Sequence, residues 1–382
     1  MKVSGDWLTH PGTQGLCAAL AAAGYRALIV GGAVRNALLG EPVADVDLCT
    51  DALPEVVSDL ALQAGFKVVP TGIEHGTVTV IAAGKPHEVT TFRRDVETDG
   101  RRAIVAFSSR IEEDAQRRDL TMNALYADMS GQVIDPLGGL PDTLARRVRF
   151  VGDPATRIRE DYLRILRFFR FHAAYGDPSG GLDAEGLAAC AALADGLARV
   201  SRERIGAEMR KLLTARDPAP AVAAMAQSGV LAQVLPGADP RALAPLVHLE
   251  GDLPPRWLRR LAVLGGEATG LRLSRHEEID LTRLRDTIGS AQGPAPLGWL
   301  FGAELAQDAL FARAAVLERP LPADWRSDTE RGAAARFPVS ASDLMPALEG
   351  PMLGARLKAL QDRWLQSDLR LDKPALLRGS EE

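Results

Sequence analysis

The stretch "LIVGGAVRNALLGEPVADVDLCT", Leu28 to Thr50, sets an apolar run before a Gly-Gly pair, an arginine and then two aspartates separated by one valine. The apolar run reads as a short buried strand, and Ala33–Leu39 as a helix closed by Gly40. Asp45–Cys49 then reads as a second strand. Side chains two apart on a strand share a face, so Asp45 and Asp47 converge while Val46 packs the other side. Gly31 and Gly32 let the backbone approach an anion closely, and the helix after them aims its N-terminal N–H groups and positive dipole end at that anion. Arg35, in the first helical turn, adds a forked donor or else makes a surface ion pair. Two carboxylates so spaced suit magnesium, a hard cation that takes a few carboxylates plus waters and phosphates. Glu88, in "KPHEVTTFR", is the best-placed third carboxylate on a neighbouring strand.

Around this stretch the chain divides by pattern. Short runs rich in Val, Ile and Thr predict further strands over Lys67–Pro70, Thr77–Ala82 and Glu88–Phe92, with a helix over Pro54–Ala64 between them. Strand signals end at "GQVIDPLGG", Gly131–Gly139. Beyond it the apolar spacing is helical almost to the end, punctuated by Gly/Pro clusters. The expected fold class is α+β: an N-terminal α/β head over 1–145, followed by all-helical segments.

The 382 residues include 46% hydrophobic and 25% charged side chains, enough apolar material for real cores. No apolar run reaches the length of a membrane span, and the start lacks the layout of a signal peptide, so a cytoplasmic protein with no membrane partner is expected. Three isolated cysteines and six scattered histidines propose neither a disulfide framework nor a zinc site. Only six of 45 basic residues are lysine, leaving 39 arginines, whose planar forks suit phosphates and base edges. A GC-rich genome would also raise arginine alongside alanine and glycine. The net charge is −5, yet residues 146–211 hold 13 basic against 9 acidic residues, the place where an RNA backbone is expected to rest.

Three further constellations carry chemistry. In "RRDLTMNALYAD", alternating apolar positions put one face on the sheet and leave Arg118, Asp119 and Asn123 free to meet a nucleotide. In "RIREDYLRILRFFRF", Asp161 and Arg164 stand three apart on a predicted helix and share a face. Glu160 is assigned an ion pair with Arg164, and Arg167 and Arg170 extend a basic stripe that meets phosphate or RNA, or simply faces solvent. In "SRERIGAEMRKLL", charges at spacings of three and four read as braces between helices.

The first stretch closely resembles the nucleotidyltransferase signature of the tRNA CCA-adding enzyme and bacterial poly(A) polymerase family. Gly31, Gly32, Val34, Arg35, Leu38, Leu39, Gly40, Asp45 and Asp47 match it, whereas Asn36 stands where aspartate is usual, a change expected to alter local hydrogen bonding and spare metal binding. Arg117, Arg118, Asp119, Thr121, Asn123 and Ala124 match a second motif, and Glu160, Asp161 and Arg164 a third. The resemblance is dense from Ala27 to Lys211 and thin beyond.

It implies a polymerase-β-like head, a helical neck over 146–212 that selects nucleotides and binds RNA, a body over 213–297 and a tRNA-binding tail over 298–382. It further implies Mg2+ on Asp45 and Asp47 with Glu88 assisting. The nucleotide would rest on Gly31, Gly32, Arg35, Arg118, Asp119 and Asn123, with Asp161 and Arg164 reading CTP and ATP. The partners would be those nucleotides and the acceptor arm and 3′ end of tRNA. The polar stretch between Phe92 and Arg117, irregular in its first half, corresponds to the family's flexible loop, with Asp99, Gly100, Arg101 and Arg102 matching and Ala103 departing. Poly(A) addition is the rival activity. The stretch "PTGIEHGTVTV" and the end "RGSEE" lack the Gly-Arg-Arg-Phe run and basic tail of its enzymes. A non-catalytic RNA-binding relative is the rival from another class.

Overall fold

The computed structural model describes residues 1–69, 72–73, 76–99, 102–345 and 347–378. Gly100 and Arg101 of the loop motif, and parts of the 70–80 stretch, lie outside them. The described chain forms two compact units. One comprises Met1–Leu212 with Pro220–Val234, the other Leu213–Ala219 with the chain from Leu235 onward.

The first unit is built on a mixed sheet of strands β1 (Leu28–Val30), β2 (Leu48–Thr50), β3 (Lys67–Val69), β4 (Thr77–Ala82) and β5 (Lys85–Thr91). After a two-stranded ribbon of β6 (Arg93–Asp99) and β7 (Arg102–Phe107), the sheet is completed by β8 (Tyr126–Ala127) and β9 (Val133–Ile134). The order is β3-β4-β5-β2-β1-β8-β9, antiparallel except between β2 and β5. The central strands are apolar on both faces. Ile29, Leu48 and Ala127 enter one core with Leu16, Leu20 and Val57, while Leu28, Val30, Cys49 and Tyr126 enter another with Phe92 and Ile111. That double burial explains why these strands read as continuous apolar runs. All three cysteines are buried.

Two expectations are corrected here. The second strand begins at Leu48, three residues after the expected Asp45. Ile29 pairs with Leu48, the Val30 N–H donates to the Asp47 carbonyl at 3.0 Å, and the chain then turns at Gly31, so nothing remains for Asp45 to pair with. The stretch after Phe92, expected to be irregular, forms the β6–β7 ribbon, with a register shift between Asp95 and Glu97, and then a helix over Ile111–Gln116. Backbone pairing holds such a ribbon, and side-chain polarity does not reveal it.

The second unit is helical and is organised around buried arginines. Glu250, 3% exposed, accepts from Arg259 Nε at 2.7 Å and from Arg260 Nε and Nη2 at 2.9 and 2.7 Å. Arg259 also meets Asp308 at 3.1 Å, and Arg260 donates to the carbonyls of Leu213, Ala215 and Arg216. No helix of the described residues is long and apolar enough to cross a membrane. Glu250→Ala leaves buried Arg260 without a carboxylate and Arg259 with Asp308 alone, and is expected to destabilise the protein by about 3–5 kcal/mol. Arg370→Ala, whose side chain is 80% exposed, is expected to shift stability by less than about 1 kcal/mol, both read from urea unfolding midpoints.

Candidate active site

The Gly-Gly turn joins β1 to the Gly32–Leu39 helix. Gly31 caps that helix at φ 65°, a left-handed conformation that favours glycine, and its N–H donates to the Leu125 carbonyl at 3.0 Å. A methyl group added at Gly31 would stand 3.5 Å from Arg118 Nη1, and one at Gly32 3.8 Å from Arg35 Nη2. Two guanidinium groups therefore flank the turn, and no side chain caps the helix N-terminus.

On the far side of β1, Asp45 and Asp47 are exposed while Val46 packs against the core, so the alternation holds although the segment precedes the strand. Because Leu48 pairs with Val89, Glu88 falls beside Asp47. Partial loss of water around the Asp47 carboxyl from the protein atoms beside it, then the negative charges of Glu88 and Asp45, push it above its ordinary value, with Arg118 opposing them. A cluster of hard oxygen donors that repel one another fits a divalent cation. Among the described residues no three His, Cys, Asp or Glu side chains form a ready cage, so substrate and water oxygens would complete the coordination.

Arg118, Asp119 and Asn123, expected to be free, are instead bound into the fold, because buried polar and charged groups require partners. Asp114, fully buried, receives Arg117 Nη2 at 2.7 Å, Arg118 Nη2 at 2.9 Å and the Tyr126 hydroxyl at 2.8 Å. Burial alone would raise this carboxyl, but Arg118 and Arg117 hold it below the ordinary range. Asp119 Oδ1 accepts from Asn123 Nδ2 at 3.0 Å and the Leu120 N–H at 2.9 Å, and its Oδ2 accepts from Arg167 Nε at 2.6 Å. Asn123 Oδ1 in turn accepts from Arg35 Nη1 at 2.5 Å. Arg35 is no surface pair. It is 6% exposed, donates to Tyr175 Oη at 2.9 Å and lies 4.0 Å from that ring's centroid.

Asp161 and Arg164 do not share one helix. The Pro154–Glu160 helix ends at Asp161, which turns extended at φ −155°, and a new helix runs over Leu163–Tyr175. Asp161 Oδ1 accepts the Leu163 N–H at 3.1 Å, and Oδ2 accepts from Arg204 Nη2 at 2.6 Å. Arg164 pairs with Glu160 at 2.5 Å, as assigned, and also donates to the carbonyls of Arg157 and Arg117 at 3.1 Å each. Beyond these, its Nε–H and one Nη2–H meet no acceptor among the described residues. Arg167 and Arg170 both make contacts within the fold: Arg170 Nε meets Glu208 at 2.5 Å, and both lie against the Phe171 ring. Arg204 and Glu208 thus brace the helices as their spacing suggested.

The sequence reading passed over Asp114, Tyr126 as a polar partner, and Tyr175. Only Asp114 left a signal, standing three and four residues before Arg117 and Arg118, the spacing at which ion pairs form over a helical turn.

Residues 27–149 match the poly A polymerase head domain family, and residues 182–241 match the probable RNA and SrmB-binding site of polymerase A. The mitochondrial CCA tRNA nucleotidyltransferase 1 of Mus musculus is 32% identical over 389 residues, spanning 96% of this chain and 89% of its own. The crystal structure of the Bacillus stearothermophilus CCA-adding enzyme in complex with CTP superposes with a TM-score of 0.73 at 32% identity, covering 94% of this chain and 93% of that one. The Thermotoga maritima CCA-adding enzyme complexed with tRNA, 17% identical with a TM-score of 0.69 over 99% of this chain and 98% of its own, shares the fold. An α/β head of this kind followed by helices defines a nucleotidyltransferase. The chain belongs to the CCA-adding tRNA nucleotidyltransferase family and is an enzyme of that class.

Burial would raise the Asp119 carboxyl, but Arg167 and the Asn123 amide draw it from the ordinary 3.8 down to about 2. A depressed folded value stabilises above the unfolded pKa and is lost as pH falls through the folded one. Its contribution is about 2 kcal/mol, so the stability gap between wild type and Asp119→Asn is expected to close between about pH 4 and pH 2 in urea titrations.

Proposed function

We propose that the enzyme adds C, C and A to the 3′ end of tRNA without a nucleic-acid template, using CTP and ATP and releasing pyrophosphate. One observation carries the reading: the hydrogen bond from the Val30 N–H to the Asp47 carbonyl. It seats the carboxylate segment directly against the residue that precedes the Gly-Gly turn, so metal-binding oxygens and a phosphate cradle are neighbours by construction.

Asp45 and Asp47, with Glu88 beside them, would hold Mg2+, which when bound lowers the pKa of the RNA 3′ hydroxyl and neutralises the leaving pyrophosphate. The free N–H groups of the Gly32–Leu39 helix, with Arg35 and Arg118 on either side, receive the triphosphate. Asp119 and Asn123 hold the turn's walls in place and present the ribose contact. Little covalent work falls to the protein, so orientation and charge neutralisation supply the rate.

Base choice falls to Asp161 and Arg164. Cytosine and adenine both offer an exocyclic amino donor beside a ring acceptor. Each oxygen of Asp161 keeps a lone pair beyond its partner in the fold, and the remaining N–H groups of Arg164 supply the matching donors. Guanine and uracil present a carbonyl there, opposite the carboxylate. The helices after the head would grip the acceptor arm by shape and phosphate contacts. Relatives named as CCA-adding along nearly the whole chain favour this reading over poly(A) addition.

Incubated with magnesium, CTP, ATP and tRNA lacking its CCA end, the enzyme is expected to add three nucleotides and stop, as gel analysis of labelled products would display. Long A tails would establish the poly(A) activity instead, and no incorporation would leave an RNA-binding protein. In the same assay Asp47→Ala is expected to abolish turnover. Asp161→Ala is expected to admit GTP and UTP more than it slows addition, and an unchanged preference would refute the base-reading role.

A further inference from the structure

Arg35 is buried with no carboxylate in contact. Its donors end on neutral acceptors: Asn36 Oδ1 at 3.1 and 2.8 Å, Asn123 Oδ1 at 2.5 Å and the Tyr175 hydroxyl at 2.9 Å. A guanidinium does not lose its proton in a protein, so the site holds a positive charge that these groups solvate without cancelling. The nearest carboxylate on the same network, Asp119, is already matched by Arg167. Arg117, Arg118, Arg167 and Arg170 contact the carboxylates of Asp114, Asp119 and Glu208, whereas Arg35 contacts none, a local positive excess at Arg35 distinct from the carboxylates of Asp45, Asp47 and Glu88.

Position 36 determines whether that excess survives. The Asn36 amide accepts from Arg35 through one oxygen and, through its Nδ2, donates to the Pro42 carbonyl at 2.7 Å. Pro42 begins the segment that carries Asp45 and Asp47. One neutral side chain thus solvates the buried cation and anchors the carboxylate segment, and an aspartate could do only the first, while cancelling the charge.

We infer that Asn36 is a positioning residue for phosphate binding: as a neutral amide it leaves Arg35 an unmatched cation whose counter-charge is the triphosphate of the incoming nucleotide. The inference rests on the triphosphate lying at the Gly31–Gly32 turn. A bound triphosphate supplies negative charge where the fold withholds it, and the affinity follows from charge at the turn, independent of the base. CTP and ATP therefore benefit alike.

The test is calorimetric titration of the full chain with inorganic tripolyphosphate in magnesium, which has no base to select. Asn36→Asp is expected to weaken binding by about tenfold or more and to flatten its salt dependence, because a carboxylate then neutralises Arg35 at contact distance. Asn36→Ala, which removes the amide and adds no charge, is expected to weaken it much less. In turnover, Asn36→Asp is expected to raise KM for CTP and ATP by one common factor with their relative preference unchanged. Wild-type-like binding by Asn36→Asp, or equal weakening by Asn36→Asp and Asn36→Ala, overturns the inference. Failure of the wild type itself to bind tripolyphosphate removes the triphosphate reading of the turn as well.

Discussion

Asp119 joins the end of the sheet to the helices that follow it. One of its oxygens holds the Asn123 amide, and through Asn123 the buried Arg35 beside the Gly-Gly turn. The other holds Arg167, which with Arg170 reaches Glu208. Each link lies in a low-dielectric interior, where an unmatched partner costs far more than a made bond returns. A buried chain of this kind is satisfied as a whole or fails as a whole. The strand ends, the turn and the helix over Leu163–Tyr175 are therefore held in one arrangement.

The same demand explains how the arginines are used. Their number and local excess suggested an RNA-facing surface, yet within residues 146–211 Arg147, Arg149, Arg157, Arg164, Arg167, Arg170 and Arg204 all face carboxylates of the fold. Other arginines satisfy backbone carbonyls at helix ends and in loops: Arg146 donates to the Leu39 carbonyl, Arg285 to Gly265, and Arg313 to Thr287 and Gln292. A fork of five permanent donors satisfies several carbonyls at once, which lysine's compact ammonium cannot match. A count of basic residues is thus a poor measure of nucleic-acid surface in this chain.

At the site, flexibility is designed out of the protein side. Asp161 and Arg164 are each held by several partners within the fold, so their orientation is set by protein contacts. The carboxylate group is the opposite case. Asp45 and Glu88 repel the Asp47 carboxyl, and Arg118 opposes them only in part. The fold thus combines a pair fixed by its partners with a carboxylate group whose members repel one another.

Much of this was legible in the residues themselves. The Gly-Gly turn, the Asp-Val-Asp spacing, the α/β head and the helical remainder follow from local periodicity and backbone rules, which act over a few positions and leave a mark at each. Even there, the strand limit at Leu48 escaped notice, because it depends on where the partner strand turns away. Long-range pairing decided the rest. Whether Arg118 and Asp119 are free or bound, whether Asp161 and Arg164 share a helix, and what Asn36 does for Arg35 depend on residues such as Asp114, Tyr175 and Arg204. Tyr175 lies more than a hundred positions from Arg35, and these roles arise from contacts the fold makes. Sequence determined which chemistry the chain carries; tertiary structure decided which charges are cancelled and which stay available, because cancellation requires contact and contact is made by the fold.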